Sequence, residues 1–370
     1  MKTLQIFLGS LKKCDEHGVW DSLPCPWPEC PNGHDENQFQ VASFIQGEAP
    51  KTYTRKEWIS PLAGSYYSWD SDDLPNWFST KKTFWNEARR LGLLKKTYPK
   101  LIYHYTSLDG FVGIVRDRAM WLTDYSYLND TREISHGRDM IQEVATEMLQ
   151  ASPEASVASL LKSWISDVGS MERRVWVASF SADDDSLSQW RAYGPIAVGF
   201  VPQDIAMHAL RGNVSAVEYD REAQRKLVSV YLHHLCQAYA VDTAMNRLER
   251  ITDVYHKIDQ LIELIAFFKD PSFSVEHEYR LAYFEYPDMI ESFGLEQVPK
   301  HFRVSRSRLL PYVRSQELEP VPLDERPLKI AEVVLGPEAD QLLERGVKEF
   351  LSTNGLSEVP VRRSTVPYRT

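Results

Sequence analysis

The chain has 370 residues, of which 43% are hydrophobic and 25% are charged. This length holds about two or three domains of roughly 150 residues, and it excludes a peptide ligand or a mini-protein. The composition is that of a globular protein and excludes a disordered or collagen-like chain. Lys and Arg number 42 against 52 Asp and Glu, which gives a net charge of -10. Broad attraction to duplex DNA or to an anionic membrane is therefore not expected, although a local basic patch is compatible with this balance.

The sequence contains no recognisable targeting or membrane segment. The apolar run within residues 1–10 is too short for the core of a signal peptide. The most apolar segment, residues 261–268, is interrupted by Glu263 and is followed by Lys269. Four cysteines in this length do not suggest a disulfide framework. We expect a soluble, cytoplasmic protein that does not associate with a membrane.

Residues 1–98 differ in composition from the rest of the chain. They are rich in Pro, aromatic residues and turn signals, which predicts an irregular N-terminal extension before a main domain over 99–370. Helical spacing of apolar residues predicts one helix over about 80–94. A structural zinc in this extension and free cysteines in a Pro-rich arm are both open interpretations, and we assign no metal to the functional site. The zinc ligands in the first case would be drawn from Cys14, His17, Cys25, Cys30 and His34.

Strand and helix patterns are interspersed in the main domain. Strands are predicted at 101–104, 120–123, 175–181, 196–201, 214–219, 276–284, 301–305, 309–314, 330–335 and 358–362. Helices are predicted after the capping residue Ser107, from Asp130, and at 154–168, 221–240, 244–268 and 336–351. The long helices at about 220–270 are interpreted as an insertion between strands. The fold class is therefore α+β, or α/β, around a central sheet.

None of the standard enzyme signatures is present, neither a Gly-rich phosphate loop nor a nucleophile elbow nor a His-Glu-x-x-His metal motif. The first polar cluster is His104 with Thr106, at the end of a predicted strand. A histidine there can bind a ligand hydroxyl through one ring nitrogen while the backbone holds the other. The alternative is a half-buried histidine that satisfies a turn.

A second cluster combines a strand that carries Ser179 and Ser181 with a following turn. The turn contains Gln189, Trp190, Arg191 and Tyr193. Core strands rarely need so many polar groups, which favours a functional site. In the alternative interpretation, the hydroxyls bond to the backbone and the aromatic rings close the core.

A third cluster contains two carboxylates and a guanidinium. Glu276, Glu278 and Arg280 occupy alternate positions of a predicted strand, so their side chains project from one face. Neighbouring carboxylates repel each other unless a cation lies near, and Arg280 can supply that charge in a solvated ladder. Otherwise the pair is suited to acid/base chemistry or to stabilising an oxocarbenium ion.

Together these motifs resemble a widespread bacterial domain family of unknown function over about residues 100–368. The motifs are Tyr103-His-Tyr-Thr-Ser-Leu108, Trp121-Leu-Thr123, Leu128-Asn-Asp-x-x-Glu133, Ser179-Phe-Ser181, Ser188-Gln-Trp-Arg-Ala-Tyr-Gly194 and Glu276-x-Glu-Tyr-Arg280. Their order is similar, more weakly, to that of the ADP-ribosyltransferase fold. That resemblance implies a split sheet, interrupted here by long helical insertions, that clasps NAD as a substrate.

The resemblance also implies roles for individual residues. Glu278 would bind the ribose 2'-hydroxyl, Glu276 would orient an acceptor, and His104 would act beside them. The residues that would contact the nucleotide are His104, Tyr105, Thr106, Ser179, Ser181, Gln189, Trp190, Arg191, Tyr193 and Arg280.

Three functions are consistent with these residues. The first is ADP-ribosyl transfer from NAD to a protein or nucleic-acid acceptor, by a bacterial toxin or an antiviral defence effector. The second is NAD hydrolysis, with water as the acceptor. The third is a non-catalytic sensor of a nucleotide or peptide, in which Trp190 stacks while Arg191 and Arg280 bind anions. An enzyme requires His104 and Glu278 to converge in one cleft.

Overall fold

The computed structural model describes most of the chain from residue 98 onward and short strands before it. The described segments are 98–127, 133–151, 155–168, 174–209, 212–244, 261–285, 297–305, 308–318 and 328–367. The short strands are β1 (Lys13–Cys14), β2 (Gly18–Val19), β3 (Phe39–Val41) and β4 (Lys51–Tyr53), which pair as β1 with β2 and β3 with β4. The helix expected over 80–94, the helix start at Asp130 and four of the five candidate zinc ligands, His17, Cys25, Cys30 and His34, lie outside the described residues.

Helices and strands are mixed along the described chain, as expected for an α+β protein. The helices are α1 (Leu108–Asp117), α2 (Glu133–Gln150), α3 (Ala155–Asp167), α4 (Leu187–Tyr193), α5 (Pro202–His208), α6 (Arg221–Ala244), α7 (Ile262–Ile265) and α8 (Gln341–Thr353). The strands are β5 (Ile102–Thr106), β6 (Trp121–Asp124), β7 (Val175–Ser181), β8 (Ile196–Phe200), β9 (Gly212–Ala216), β10 (Glu278–Phe284), β11 (His301–Ser305), β12 (Arg308–Arg314), β13 (Glu332–Leu335) and β14 (Val361–Arg363). No helix among the described residues is long and apolar enough to cross a membrane.

The strands from β5 to β14 form one mixed sheet. Its path runs β11-β12-β6-β7-β5-β8-β13-β14, and β10 pairs with β7 and with β9. The β13–β14 pair is parallel, and the other described pairs of this sheet are antiparallel.

One edge of β7 is shared by two strands. β6 pairs with the first half of β7, with Thr123 opposite Val177, and β5 reaches only its end, with Tyr103 opposite Ser181. The whole opposite edge of β7 is covered by β10. The sheet therefore divides between Val177 and Ser181, at Ser179, and we call this position the fork.

Both faces of the sheet are covered, as the pattern of β7 predicts. Val175 and Val177 face a core formed with α2, α3, α6 and α7. Trp176 and Phe180 point to the other face, where α1, α5 and α8 pack. On the first face, the apolar residues of β7 stop before the fork, and the next residues on that face are Ser179 and Ser181, which carry hydroxyls.

Several element boundaries differ from the sequence predictions, and two of them have an evident local reason. The strand expected at 214–219 is β9, which ends at Ala216, because the Glu218 carboxylate accepts the amides of Tyr219 and Asp220 and forms a turn. The last helix begins at Gln341 rather than near 336, because the side chain of Asp340 caps it. The helix expected over 244–268 is described only from 261, where α7 is a single short helix.

Candidate functional site

His104 lies at the fork and binds the carbonyl oxygen of Ser179. Its Nδ1 is 2.8 Å from that oxygen, and because a carbonyl only accepts, Nδ1 carries the proton. Burial, reinforced by the charge of Arg303 and opposed by the bond to Ser179, lowers the pKa of His104 to about 4. The ring is therefore neutral at pH 7, and its Nε2 is a hydrogen-bond acceptor.

Glu278 approaches the fork from the other side of β7. It is buried at the start of β10, and its carboxylate accepts a hydrogen bond from the side chain of Ser179. His104 and Glu278 therefore both contact Ser179, the first through the backbone and the second through the hydroxyl. Glu278 lies opposite Ser181, on the face of the sheet that also carries Tyr103, whereas the ring of His104 packs against Phe180 on the other face. The two residues are thus neighbours of Ser179, and whether they share one cleft stays a prediction.

Two cations surround the Glu278 carboxylate. Arg280 binds it with both ends of the guanidinium, with Nε 2.8 Å from Oε1 and Nη2 3.1 Å from Oε2. The ammonium of Lys269 lies 2.9 Å from Oε2. Burial opposes ionisation of Glu278, but Arg280 and Lys269 outweigh it and hold the pKa of this carboxyl at about 2. Glu278 is thus fixed as an anion.

Arg280 is itself held by further contacts. Its Nη1 donates to the carbonyl oxygen of Ala266 at 2.6 Å and lies 3.3 Å from the hydroxyl of Tyr125, whose ring it also faces. With 1% of its surface exposed, Arg280 is enclosed by protein. It therefore positions Glu278, and the predicted ladder of solvated charges is wrong for these two residues because both are buried in an ion-paired cluster.

Glu276 is not on the strand, which corrects the sequence prediction. It ends a 3-10 helix, Pro271–Glu276, and His277 then adopts a left-handed backbone with φ of 42°. The expected alternation is broken there, and the strand begins only at Glu278. Glu276 still meets the cluster, because its Oε2 lies 2.6 Å from the ammonium of Lys269.

Lys269 is a residue of the candidate site that the sequence analysis did not identify. It lies 8% exposed between the carboxylates of Glu276 and Glu278 and forms an ion pair with each. Two neighbouring carboxylates beside one arginine leave one negative charge uncompensated, which indicates that a second cation lies near. The sequence does not indicate which lysine supplies it, because no fixed spacing relates the two segments.

The remaining predicted hydroxyls and aromatic residues behave as structural groups. Ser181 Oγ donates to the backbone oxygen of Glu276 at 2.8 Å. The rings of Tyr105 and Trp190 pack edge to face 4.6 Å apart, and both are buried. The Trp190 indole donates to Asp185 at 2.9 Å. These contacts match the alternative in which hydroxyls bond to the backbone and aromatic rings close the core.

The segment after β7 is a helix, α4, rather than the predicted turn. Gln189 on α4 is buried, whereas Arg191 and Tyr193 lie on its exposed side. The helix ends at Gly194, whose φ of 133° and close approach to Thr106 require glycine: a Cβ there would lie 2.6 Å from the Thr106 carbonyl oxygen. Thr106 is buried under this junction.

Arg303, on β11, is a second residue that the sequence analysis did not identify. Its Nη2 donates to the hydroxyl of Thr123 at 2.9 Å, and its guanidinium lies 5.9 Å from the ring centroid of Trp121. Thr123 is the β6 residue that pairs with β7 beside the fork. A single arginine on an edge strand gives no sequence signal of such a position.

The fork combines groups of three kinds: an acceptor nitrogen on His104, a hydroxyl on Ser179 and a fixed carboxylate on Glu278. Together they can bind a ligand that carries hydroxyl groups and can stabilise positive charge near those hydroxyls. Among the described residues, no group of three or more His, Cys, Asp and Glu side chains is arranged to hold a metal ion. Comparison of the chain with protein-family models, with curated proteins and with solved structures found no match.

Proposed function

We propose that the protein is an ADP-ribosyltransferase that binds NAD at the fork and breaks its nicotinamide–ribose bond. The observation that carries this proposal is the buried Glu278 carboxylate beside the fork, held between Arg280 and Lys269. The division of the sheet at the fork supports the finer proposal that the fold is the split sheet of ADP-ribosyltransferases. In this account the protein acts in the bacterial cytoplasm as a toxin or an antiviral defence effector.

The reaction breaks one bond and forms one. The C1'–N1 bond of NAD breaks, and nicotinamide leaves with the bonding electron pair, so positive charge develops on the ribose as an oxocarbenium-like ion. A lone pair of the acceptor then bonds to C1', and the acceptor loses its proton to a base. When the acceptor is water, the same steps amount to NAD hydrolysis.

Glu278 has the electrostatic properties that this step needs. A carboxylate stabilises the developing charge only while it is ionised, and Arg280 and Lys269 keep it so. The Ser179 hydroxyl is the one neutral donor among these partners of the carboxylate, and a ribose 2'-hydroxyl can replace it with little loss. That bond strengthens as positive charge develops, which selectively stabilises the transition state.

Glu276 suits the second role, at the acceptor. Its side chain is 20% exposed, against 5% for Glu278, and it ends a 3-10 helix instead of lying on the strand. We propose that Glu276 orients the acceptor nucleophile and takes its proton, while Glu278 acts on the ribose.

One observation favours a second candidate, a non-catalytic nucleotide-binding module. The Glu278 carboxylate already receives hydrogen bonds from Arg280, Lys269 and Ser179. A fully satisfied carboxylate is also what a purely structural ion cluster would contain. The two candidates differ in whether Glu278 is needed for a reaction or only for a stable site.

The test is the release of nicotinamide from NAD by the purified full chain, followed by chromatography. We expect the wild-type chain to release nicotinamide, and Glu278→Gln to lower the rate by about a hundredfold or more, since removing one electrostatic stabiliser costs 10²–10³ in kcat. The matched control is Glu338→Gln, which alters an exposed carboxylate far along the chain and should keep the wild-type rate.

Glu276→Gln separates transfer from hydrolysis. It should lower transfer to an acceptor more than it lowers nicotinamide release. Equal release by Glu278→Gln and the wild-type chain would contradict the enzyme and favour the binding module.

A further inference from the structure

The guanidinium of Arg303 has no counter-ion among the residues that the structure describes. Its hydrogen bond to Thr123 at 2.9 Å is to a neutral hydroxyl. The Nε atom is buried and has no acceptor within the described part of the chain. A buried N–H group without a partner is unfavourable, and the charge of a half-buried guanidinium without an anion adds to the cost. Both deficits would be met by one group that carries negatively charged oxygens.

The surroundings of Arg303 restrict the size and the shape of such a group. The ring of Trp121 lies on one side of the guanidinium, and Tyr312 stacks on Trp121 with ring centroids 4.7 Å apart. These rings limit access from that side. Arg303 is also close enough to His104 for its charge to lower the pKa of that histidine.

His104 adds a requirement of a different kind. Its Nδ1 is engaged by the Ser179 carbonyl, and its Nε2 is an acceptor with no hydrogen-bond partner among the described residues. An acceptor nitrogen does not bind an anionic oxygen, but it does bind a hydroxyl. A ligand that satisfies Arg303 and His104 together must carry both an anionic group and a hydroxyl.

We propose that Arg303, with Thr123 beside it, binds a phosphate group of a nucleotide, while His104 Nε2 accepts a hydroxyl of the sugar. Arginine suits this role because its planar N–H groups match the oxygens of a phosphate. The choice of a nucleotide rests on the proposed function, and the anion site rests on the contacts of Arg303. The inference adds a residue of β11, a strand remote from β5, β7 and β10 in sequence, to the binding surface.

The experiment is calorimetric titration of the full chain with ADP, which carries phosphates and a ribose but no nicotinamide. The wild-type chain should bind ADP, and Arg303→Gln should weaken binding by about tenfold or more. The matched control is Arg308→Gln, which removes an exposed arginine from the same hairpin and should change the affinity less than about twofold. Arg303→Lys keeps the charge but lacks the planar guanidinium. Its affinity for ADP should lie between that of the wild-type chain and that of Arg303→Gln.

Two further ligands identify what the site binds. Adenosine, which has no phosphate, should bind equally well to the wild-type chain and to Arg303→Gln. Inorganic pyrophosphate should bind more weakly than ADP and should lose affinity in Arg303→Gln; binding as tight as that of ADP would overturn the sugar contact and leave a site for a free anion.

ADP affinity unchanged in Arg303→Gln, or no ADP binding by the wild-type chain, would overturn the proposal. A melting curve by circular dichroism establishes that the variant is folded. This test is independent of catalysis, because ADP lacks the nicotinamide–ribose bond that the proposed reaction breaks: ADP binding that depends on Arg303 would stand even if nicotinamide release failed.

Discussion

Two arginines near the fork differ in what surrounds them. Arg280 is fully buried and paired with Glu278, whose remaining oxygen contacts come from Lys269 and Ser179. Arg303 is half-buried, and the described residues place a hydroxyl and an aromatic ring beside it but no carboxylate. The first charge is satisfied within the protein and holds a catalytic candidate in position. The second is unsatisfied and is therefore the group more suited to a ligand.

The largest expected effect comes from removing the satisfied arginine. Arg280→Met leaves Glu278 with one cation in a buried site, and breaking such a pair costs about 3 to 5 kcal/mol in the free energy of unfolding. Urea unfolding measures this change in the free energy of unfolding. Arg308→Met, on an exposed arginine, is the control and should change stability by less than about 0.5 kcal/mol. A loss below about 1 kcal/mol for Arg280→Met would show that the cluster is not a rigid ion pair.

The second effect is the pH dependence of the stability that the same cluster contributes. The pKa of Glu278 in the folded protein, about 2, lies below the ordinary 4.5, so the folded state binds fewer protons than the unfolded state. Its contribution to stability is complete above about pH 5 and is lost as the pH falls towards 2. The stability difference between the wild-type chain and Glu278→Gln should shrink by about 2 kcal/mol between pH 6 and pH 3.

A pH-independent difference between these two chains would contradict the ionised state assigned to Glu278. Urea unfolding at the two pH values, carried out on both chains in the same buffers, cancels the titration of the other carboxyl groups. Glu338→Gln provides the control, because its stability should follow that of the wild-type chain at both pH values.

The third effect separates the two contacts of Ser179. Ser179→Ala removes the hydroxyl that binds Glu278 and keeps the carbonyl that binds His104. A hydrogen bond to a charged group contributes about 1.5 kcal/mol or more, so stability should fall by about that amount. The NMR shifts of the His104 ring should stay near those of the wild-type chain. A large change at His104 would mean that the hydroxyl, and not the carbonyl, positions the ring.

The smallest expected effect is at the unsatisfied arginine. Arg303→Met removes a partly buried charge without leaving a carboxylate unpaired, so the free energy of unfolding should change by less than about 1 kcal/mol, in either direction. Differential scanning calorimetry of the ligand-free chain measures it. A loss as large as that of Arg280→Met would show that Arg303 is a structural residue and would remove the basis for an anion site.

The residue pattern was sufficient to predict individual strands and helices and to select His104, Ser179 and Glu278 as candidate site residues. The alternation in β7 identified its two faces, and the hydroxyls at its end marked Ser179. His104 and Glu278 were identified from their strand positions, and both contact Ser179. The capping role of Ser107 was also predicted, and its side chain accepts the Gly110 amide.

The features that the sequence analysis missed depend on contacts between distant segments. Periodicity indicates which face a residue occupies but not which strand lies beside it, so neither the shared edge of β7 nor the position of Arg303 was predictable. Lys269 was missed for the same reason. Glu276 was assigned to a strand because alternation alone does not reveal a left-handed residue such as His277.

The most direct test of the account is a crystal structure of the protein with ADP-ribose, the product that NAD leaves after nicotinamide departs. The account predicts the ribose that carried nicotinamide at the fork, with a hydroxyl within hydrogen-bonding distance, about 3 Å, of Glu278, and a hydroxyl of the adenosine ribose near His104 Nε2. It also predicts a phosphate on the guanidinium of Arg303. Density for the ligand elsewhere on the protein, with Ser179 still bound to Glu278 and Arg303 unoccupied, would contradict it.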